Sequence, residues 1–331
     1  MTVETRRQAA TLHWSRPGTP PDRIESPVSP QAEALDLVEA VDSDIRTLMA
    51  DHLERREHWY AHDIVPWELG RNFRDEPWSA DQASLSPEVR TALVLNLLTE
   101  DNLPYYHAQF QVFFDQDSPL NEWSRLWTAE EGQHAIAIRN YLLTSRNCDP
   151  DLLEDDRVAT VRNGWVGAMD TAIDLFNYTA AQELATRISH RNAGAKADCE
   201  VAREVMNRVA ADENHHFIFY RGVVTAMLQQ APDLTLESMA KVMGGFEMPG
   251  TGIPQFRRRA VEMAKLGVYN VRIHLENVVS PLMRYWKVDS LTGLSSVGAK
   301  AQERLMTLQD ELTTQAEKFE ARLAARKLSP A

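Results

Sequence analysis

Two six-residue segments of this chain follow one pattern of alanine, acid, glutamate, two further residues and histidine. Residues 129–134 read Ala-Glu-Glu-Gly-Gln-His, and residues 211–216 read Ala-Asp-Glu-Asn-His-His. If the first segment is helical, Glu131 and His134 lie one turn apart on the same face. Glu213 and His216 are placed in the same way in the second segment. A carboxylate and an imidazole in this arrangement can bind one metal ion, so the two segments indicate metal-binding chemistry.

The elements that must position these residues are helical hairpins. Two further glutamates, Glu100 and Glu183, each lie about 30 residues before one of the segments. At a rise of about 1.5 Å per residue, that length allows a helix of about 20 Å, a turn and a return to the same level. One glutamate on the first helix and Glu-x-x-His on the second is the ligand set of ferritin-like bundles that bind two metal ions. We therefore predict a buried pair of iron ions held by Glu100, Glu131, His134, Glu183, Glu213 and His216.

The alternative interpretation is an acidic helix face that contacts only water. Among 10 histidines, only His134 and His216 have a glutamate three residues earlier, and both lie in apolar helical surroundings. His215 has only an aspartate at that spacing. His107 and His190 lie seven residues after a first-helix glutamate, about 10 Å along the helix axis, and are predicted to be too far from it to share an ion. These spacings favour the dimetal interpretation.

The ligand set also indicates which metal the site would suit. Four glutamates bring four negative charges, which two divalent ions would neutralise, and mixed carboxylate and imidazole ligands suit iron or manganese. Reduced iron could split dioxygen and produce an oxidant able to attack an unactivated C–H bond. Such chemistry requires a dry cavity, which the apolar residues around the ligands could line. We predict two iron ions, with manganese as the alternative.

Two neighbouring residues are candidates for supporting roles. Asp212, next to Glu213, could bind the free ring nitrogen of a ligand histidine, as metal-bound histidines usually require. Thr186 lies three residues after Glu183 on the same face, where its hydroxyl could deliver a proton near the metals. The alternative for Thr186 is a hydrogen bond back to a carbonyl of its own helix. The sequence does not decide between these two interpretations.

The bulk composition is that of a globular, mainly helical chain. Its 331 residues are 44% hydrophobic and 25% charged, with only 14 glycines. The formal net charge of −13 argues against generic binding to nucleic acid or to an anionic membrane. No apolar stretch approaches the roughly 18 residues of a membrane span. Cys148 and Cys199 lie far apart, as expected of reduced thiols, and we predict a soluble, cytoplasmic protein.

We predict an all-α fold in which a ferritin-like four-helix bundle core is covered by additional helices. Residues 1–30 carry five prolines and are predicted to form a disordered arm, with an organelle transit peptide as the alternative. Residues 31–331 would form one domain. The bundle core is expected at about 88–229, and the covering helices within 234–327.

Apolar spacing and turn residues predict helices at about 31–57, 88–114, 120–145, 166–190, 196–229, 234–244, 254–269, 274–286 and 296–327. Pro104 is predicted to kink the first bundle helix one turn after Glu100. Residues 147–156 are predicted to be an acidic connection in the long crossover between the two halves. Residues 191–194 are predicted to end the third bundle helix. The last helix is predicted to be a solvated covering helix, with a partner-helix surface as the alternative.

Five segments, in this order, resemble the soluble acyl-[acyl-carrier-protein] desaturases, and most closely their actinobacterial branch. They are Leu98-Thr-Glu-Asp-Asn-Leu-Pro104, Trp127-Thr-Ala-Glu-Glu-Gly-Gln-His134, Gln182-Glu-Leu-Ala-Thr-Arg-Ile-Ser-His190, Ala210-Ala-Asp-Glu-Asn-His-His216 and Trp286-Lys-Val-Asp-Ser-Leu-Thr-Gly-Leu-Ser295. The resemblance covers about residues 35–310 and fills all six metal-ligand positions of the family. It implies a homodimer with a diiron centre. The reaction it implies inserts a cis double bond into a fatty chain held on acyl carrier protein, with dioxygen as oxidant and reduced ferredoxin as electron donor.

The same resemblance assigns roles to residues around the metals. Thr186 matches the threonine implicated in oxygen activation. Trp59, Trp127 and Asp212 match the tryptophans and the aspartate that surround the family's metal ligands. All four are therefore expected near the metal site.

The chain departs from the family where the fatty-acyl channel is expected. Gln109, Val112 and Phe113 occupy that region, and the bulky Phe113 could shorten the channel. Acyl carrier protein and ferredoxin are both acidic, so their attraction to an acidic chain must be local. The basic run Arg257–Arg259 is a candidate docking point, with an ordinary solvated helix face as the alternative.

Three other functions would fit parts of this pattern. A ferritin-like oxygenase that oxidises amines or hydroxylates another substrate would share the ligands without a deep, narrow channel. Iron storage would need a cage of many subunits, against which the long C-terminal extension argues. A family member that binds metal without turnover is the third, and the complete ligand set argues against it.

Overall fold

A computed structural model describes residues 29–115 and 117–328. In these ranges all of the regular structure is helical and no strand is present, so the predicted all-α class is confirmed. The predicted arm, residues 1–30, lies outside the described residues except for Ser29 and Pro30. These two residues cap and begin the first helix.

The helices in chain order are α1 (Pro30–Ala40), α2 (Asp42–Arg55), α3 (Ala61–Ile64), α4 (Pro87–Glu100), α5 (Leu103–Phe113), α6 (Pro119–Thr144), α7 (Pro150–Asn163), α8 (Ala172–Lys196), α9 (Glu200–Gln230), α10 (Pro232–Gly244), α11 (Phe256–Leu266), α12 (Val271–His274), α13 (Ser280–Tyr285) and α14 (Ser296–Leu328). A π-helical turn, Leu275–Val279, joins α12 to α13. The single helix predicted at 31–57 is divided at Val41, whose backbone leaves the helical region. Asp42 and Asp44 then occupy the first turn of α2, where acids favour a new helix start.

Four long helices, α4, α6, α8 and α9, form the bundle, and three of them begin at a capping side chain. Ser86, Ser118 and Thr171 accept hydrogen bonds from backbone N–H groups in the first turns of α4, α6 and α8. Helix α8 is the central one, because from Ala172 to His190 only Arg187 is not buried. A helix that is buried on all sides belongs at the centre of a fold.

The first bundle helix ends earlier than predicted. Helix α4 stops at Glu100, and α5 starts three residues later, whereas the sequence predicted one kinked helix over 88–114. Pro104 explains the break, because proline donates no N–H and its ring clashes with the carbonyl four residues earlier. Arg157 fixes Asp101 at the break through two nitrogen–oxygen contacts of 2.8 Å. Glu100 is thereby held at the end of α4.

The crossover between the two halves of the bundle contains a helix that the sequence analysis did not predict. Asp149 accepts hydrogen bonds from the backbone N–H groups of Asp151 and Leu152 and so caps α7. Most of the segment 147–156 is therefore helical, and the predicted acidic connection between the two halves contains part of a helix.

Helix α8 both begins and ends later than predicted. It starts at Ala172 and continues through residues 191–194 to Lys196, so the predicted end of the helix is wrong. Gly194 lies inside the helix at a point where α9 passes too close for a larger side chain. A Cβ at this glycine would lie 2.9 Å from the Cβ of Met206. The residue serves helix packing and does not terminate α8.

The C-terminal helices cover the bundle. Helix α14 packs along α10 and buries Ala301, Leu305 and Leu308, while Met306 is 38% exposed. One face of α14 is therefore covered within the chain, as expected of a covering helix. Among the described residues, no helix combines the length and the apolar character needed to cross a membrane.

Candidate metal centre

The six predicted ligands converge in the interior of the bundle. Glu100 ends α4, Glu131 and His134 lie on α6, Glu183 lies on α8, and Glu213 and His216 lie on α9. Each of the six is at most 4% exposed. Acids are almost never buried to this extent without compensating partners. The four carboxylates therefore require protons or cations inside the bundle.

The six residues form two overlapping groups. One group is Glu100, Glu131, His134 and Glu213, and the other is Glu131, Glu183, Glu213 and His216. Within each group, one potential ligand atom per residue lies within 4.8 Å of the others. Glu131 and Glu213 belong to both groups, so they are placed to bridge two ions. Each ion would also receive a glutamate and a histidine of its own.

Both imidazole rings direct one nitrogen at the carboxylates. His216 Nδ1 lies 2.8 Å from Glu131 Oε1 and 3.6 Å from Glu183 Oε2. His134 Nδ1 lies 3.2 Å from Glu131 Oε2 and 3.7 Å from Glu100 Oε2. The two inner nitrogens thus face the same cluster of oxygens from neighbouring helices.

Several polar atoms of this cluster lack a hydrogen-bond partner of suitable geometry. Those that face the carboxylates are Nδ1 of His134 and His216, Oε1 of Glu131, Oε2 of Glu183 and both carboxylate oxygens of Glu213; the outer Nε2 of His134 also lacks one. Buried polar atoms without partners are rare and cost about 1–3 kcal/mol each. Two divalent cations would satisfy these atoms and neutralise the four carboxylates. The residues present therefore fit a dimetal centre, and their types favour iron or manganese.

Ionisation within the cluster reflects its confinement. Burial raises the pKa of Glu183 well above its ordinary range. Although burial favours the neutral acid, hydrogen bonds from His134, His190 and His216 hold the pKa of Glu213 well below its ordinary value. Burial opposes charge on His134 and His216, yet neighbouring carboxylates raise the pKa of both well above normal. Metal binding must therefore release protons from this cluster.

Each of the two histidines contacts an acid from the opposite segment through its outer nitrogen. Asp212, for which the sequence suggested such a role, has Oδ2 3.5 Å from His134 Nε2 and accepts the Nε1–H of Trp59 at 2.6 Å. Glu130 Oε2 lies 3.0 Å from His216 Nε2. The sequence analysis missed Glu130, although both segments carry an acid in the second position. That shared acid is the signal that could have found it.

Glu130 is itself surrounded by bases. Its Oε2 lies 2.9 Å from His52 Nε2, and its Oε1 accepts a hydrogen bond from Arg56. Although burial favours the neutral acid, the hydrogen bonds from His216 and His52 lower the pKa of Glu130 strongly. The carboxylate is therefore charged and suited to hold the outer nitrogen of His216.

His190 is a second residue that the sequence analysis missed. Its Nε2 lies 2.9 Å from Glu100 Oε1 and 3.4 Å from Glu213 Oε1, and the ring is 1% exposed. The spacing of seven residues excluded an ion shared with Glu183, which lies on the same helix. His190 instead contacts Glu100, which belongs to the other half of the bundle. His107, at the same spacing in the first half, lies outside the cluster, with Nδ1 2.9 Å from Thr128 Oγ1.

The remaining predicted residues near the metals are also buried. Trp127 donates its Nε1–H to Glu183 Oε1 at 3.1 Å. The Thr186 hydroxyl donates to the backbone carbonyls of Gln182 and Glu183, both at 3.1 Å. The Thr186 hydroxyl is therefore bonded to carbonyls of its own helix, which is the alternative to a proton-delivering role.

The residues predicted to mark the acyl channel are placed differently from one another. Val112 is 72% exposed, so the expectation that it lines an interior channel is wrong. Gln109 and Phe113 are partly buried, and Phe113 packs against the apolar core. The helical face that carries Val112 points outward at this position of α5.

The basic run on α11, Arg257–Arg259, is only partly available for contact with an acidic partner. Arg259 pairs with Asp156, and Arg258 Nε lies 3.1 Å from Glu262 Oε1. Arg257 is exposed. Two of the three charges are therefore compensated by acids of the same chain.

A four-helix bundle in which two glutamates and two Glu-x-x-His pairs meet in a buried cluster defines the class of ferritin-like dimetal carboxylate proteins. The family model described as fatty acid desaturase matches residues 33–330. The chain therefore belongs to the fatty acid desaturase family, which confirms the family suggested by the five sequence segments.

Individual relatives agree with this assignment. The chain is 37% identical over 297 residues to "Putative acyl-[acyl-carrier-protein] desaturase DesA1" of Mycobacterium tuberculosis, covering 86% of this chain and 88% of the relative. It is 27% identical to a seed-specific stearoyl-[acyl-carrier-protein] 9-desaturase of Brassica napus, covering 93% and 82% of the two chains. Among solved structures, it is similar to the X-ray structure of "putative acyl-ACP desaturase DesA2" from M. tuberculosis, with a TM-score of 0.66, 25% identity and coverage of 81% and 99%.

Proposed function

We propose that this protein is an O2-dependent diiron desaturase that introduces a cis double bond into a fatty acyl chain carried on acyl carrier protein. The observation that carries the proposal is the convergence of four glutamates and two histidines in a buried cluster that fits two metal ions. Family membership and the names of the relatives support the substrate class. We further propose ferredoxin as electron donor and a homodimer, as the sequence resemblance implies, and a cytoplasmic location, as the reduced thiols suggest.

The electron balance defines what the partners must supply. Desaturation removes two hydrogen atoms from adjacent carbons, and reduction of dioxygen to two waters consumes four electrons and four protons. The acyl chain supplies two of each. Ferredoxin would supply the other two electrons, and solvent the other two protons. Two iron ions, when bound, supply the site at which dioxygen is reduced.

The chain's own residues would hold and shield this site. Asp212 and Glu130 contact the outer nitrogens of the two histidines, so that each Nδ1 stays directed at the carboxylates. Trp127 orients the Glu183 carboxylate through its indole N–H. Trp123 is fully buried nearby. Such packing excludes water, which would otherwise quench a reactive oxidant.

Thr186 is the proposed proton donor, and this role would require a change in its hydrogen bonding. Its hydroxyl is buried next to Glu183 and donates to two backbone carbonyls. To deliver a proton to the metal cluster, the hydroxyl would have to rotate away from those carbonyls. Back-bonded threonines in helices can make this change by moving between staggered rotamers.

The test is turnover by the purified full-length protein with ferredoxin, its reductase and dioxygen. Stearoyl- and palmitoyl-acyl carrier protein are supplied separately, and the released fatty acids are identified by mass spectrometry. We expect a monounsaturated product that depends on ferredoxin and dioxygen. A hydroxylated product, or none from either chain length by iron-loaded protein, would contradict the proposal.

A further inference from the structure

A cavity of about 390 Å³ lies between α8, α9 and the segment formed by the π-helical turn and α13. Three arginines line it: Arg187 and Arg191, one turn apart on α8, and Arg221 on α9. We call it the three-arginine cavity. Much of the remaining lining is apolar and includes Leu184, Ile188, Phe217 and Leu282.

The charges in the three-arginine cavity have no acidic counterpart. Within the described part of the chain, none of the three arginines forms an ion pair or donates a hydrogen bond to an acid. Two other partly buried arginines do have such partners, Arg157 in Asp101 and Arg259 in Asp156. Glu276 is the one acid of the lining, but its side chain is 60% exposed and lies 3.8 Å from another arginine, on α12.

Arg221 is held in place without using its N–H groups. Its guanidinium carbon lies 3.9 Å from the ring centre of Tyr285 and 5.0 Å from that of Phe217. Its Nε is buried and has no hydrogen-bond partner. Contacts with ring faces fix the guanidinium plane and leave the donors at its edge available. This guanidinium is therefore preorganised for an acceptor that the chain itself does not provide.

Arg187 and Arg191 add like charge at short range. Arg187 is half-buried, and its burial, together with the charge of Arg191, lowers the pKa of its guanidinium. Concentrating cations in a partly apolar cavity is unfavourable unless an anion compensates them. The chain has 48 acidic residues against 35 basic ones, yet it places no paired acid at this point.

We propose that the three-arginine cavity binds a phosphate-type oxyanion, either inorganic phosphate or the phosphate group of a small molecule. Planar guanidinium groups match phosphate oxygens with pairs of parallel hydrogen bonds, and such charge-assisted bonds are stronger than neutral ones. The apolar wall provides a surface for carbon atoms next to the phosphate. This inference does not depend on the proposed desaturase activity.

The test is calorimetric titration of the full-length protein, at constant ionic strength, with inorganic phosphate and with butyl phosphate. Each of the variants Arg187→Gln and Arg191→Gln should weaken phosphate binding by at least about tenfold, because each removes charge-assisted hydrogen bonds. Tighter binding of butyl phosphate would identify a phosphorylated small molecule as the ligand class. Tighter or equal binding of inorganic phosphate would identify the free anion.

The matched control is Arg284→Gln, which removes the same charge from an exposed position on α13 outside the lining. It should bind phosphate like the unaltered protein, and thermal melts confirm that all variants are folded. Phosphate can also bind iron, but the arginine variants keep every predicted metal ligand. Equal binding by all variants, or no binding by the unaltered protein, would overturn the proposal. Dissociation of a dimer by Arg191→Gln without phosphate binding would also overturn it, because the arginines would then serve an interface.

Discussion

The predicted metal ligands occur in equivalent pairs, but only some of the residues that surround them do. Asp212 and Glu130 have equivalent positions in the two segments and contact opposite histidines. His190 contacts Glu100, whereas no equivalent histidine contacts Glu183, whose partner is the indole of Trp127. An imidazole can exchange a proton, and an indole N–H only donates. The two metal positions are therefore expected to differ in affinity.

Replacement of His190 tests this difference. In His190→Gln, Glu100 loses an imidazole partner at 2.9 Å, so the ion bound by Glu100 and His134 should be held about ten- to hundredfold more weakly. The ion bound by Glu183 and His216 should be weakened less, because His190 reaches its group only through the longer contact of 3.4 Å with the shared Glu213. Stepwise titration of the metal-free protein with Fe²⁺ under anaerobic conditions measures both.

The control for this titration is His107→Gln, which removes a histidine at the same sequence spacing but outside the cluster. It should titrate like the unaltered protein. Equal weakening of both ions in His190→Gln, or no weakening of either, would show that His190 does not distinguish the two positions.

Contacts within one helix could be predicted from the sequence of this site, whereas contacts between helices could not. Glu131 and His134 share a helix face, so their spacing alone indicates a common target. The His190–Glu100 contact joins two helices from different halves of the bundle, and no spacing within one helix encodes it. Glu130 lies between these cases, because its equivalence to Asp212 is visible in the sequence but its partner is not.

At the scale of elements, helices α8 and α9 form the structural centre of the molecule. They pack against each other more extensively than any other two helices described, and Gly194 lies at a point of close approach. The sequence predicted the long helices of the bundle but not α7, since capping residues and apolar spacing are local signals that do not reveal every helix. It misjudged Gly194, because a glycine that ends a helix and one that admits a neighbouring helix look alike in a single sequence.

Gly194→Ala tests this packing role. The added Cβ would lie 2.9 Å from Met206 Cβ and 3.3 Å from Arg203 Cα, so the helices must separate, at a cost of about 1–3 kcal/mol in the free energy of unfolding. Gly132→Ala is the matched control inside α6, where no atom lies within 4 Å of an added Cβ. It should stabilise the protein by about 0.5–1 kcal/mol, the difference in helix propensity. Urea denaturation of both variants provides the comparison, and a stabilised Gly194→Ala would contradict the close-packing interpretation.

His274, at the end of α12, gives the covering layer a dependence on pH. Burial lowers the pKa of His274 from 6.5 to about 4, and its Nδ1 lies 2.8 Å from the Tyr269 hydroxyl. Between these values the unfolded chain binds a proton that the folded chain does not, so stability falls as pH decreases from about 6.5 to about 4. The loss attributable to this group is at most about 3.4 kcal/mol.

Denaturation of the metal-free protein across this pH range measures the effect. His274→Gln keeps a hydrogen-bond acceptor for Tyr269 but cannot bind the proton, so its stability should fall less steeply with acid. His58→Gln, at an exposed position, should retain the slope of the unaltered protein. The same slope in all three proteins would show that His274 titrates normally in the folded state.

At the scale of the whole molecule, a layer of covering helices surrounds a strongly acidic interior site within an acidic chain. The net charge of −13 opposes long-range attraction of acidic partners. The run Arg257–Arg259 contributes little, because Arg258 and Arg259 are paired with acids of the same chain. Docking of the proposed acidic carrier and electron donor therefore depends on short-range contacts, and its rate should rise with salt because salt screens the long-range repulsion.

Some parts of the whole fold could be predicted from the sequence and others could not. The bundle core and covering helices followed from helical periodicity and from two motifs about 80 residues apart. The break between α4 and α5 was predicted only as a kink. Whether a proline bends a helix or ends it depends on tertiary contacts such as the Arg157–Asp101 ion pair. Such contacts connect residues that are distant in the chain.

The central claim is that six side chains from four helices bind two metal ions in one buried cluster. The most direct test is the iron content per chain of purified protein, measured by mass spectrometry of the metal, for the unaltered protein and for Glu131→Ala and His216→Ala. We predict two irons per chain in the unaltered protein, and loss of at least one of them in each variant, with helical circular dichroism preserved. Two irons retained in either variant would contradict the assignment.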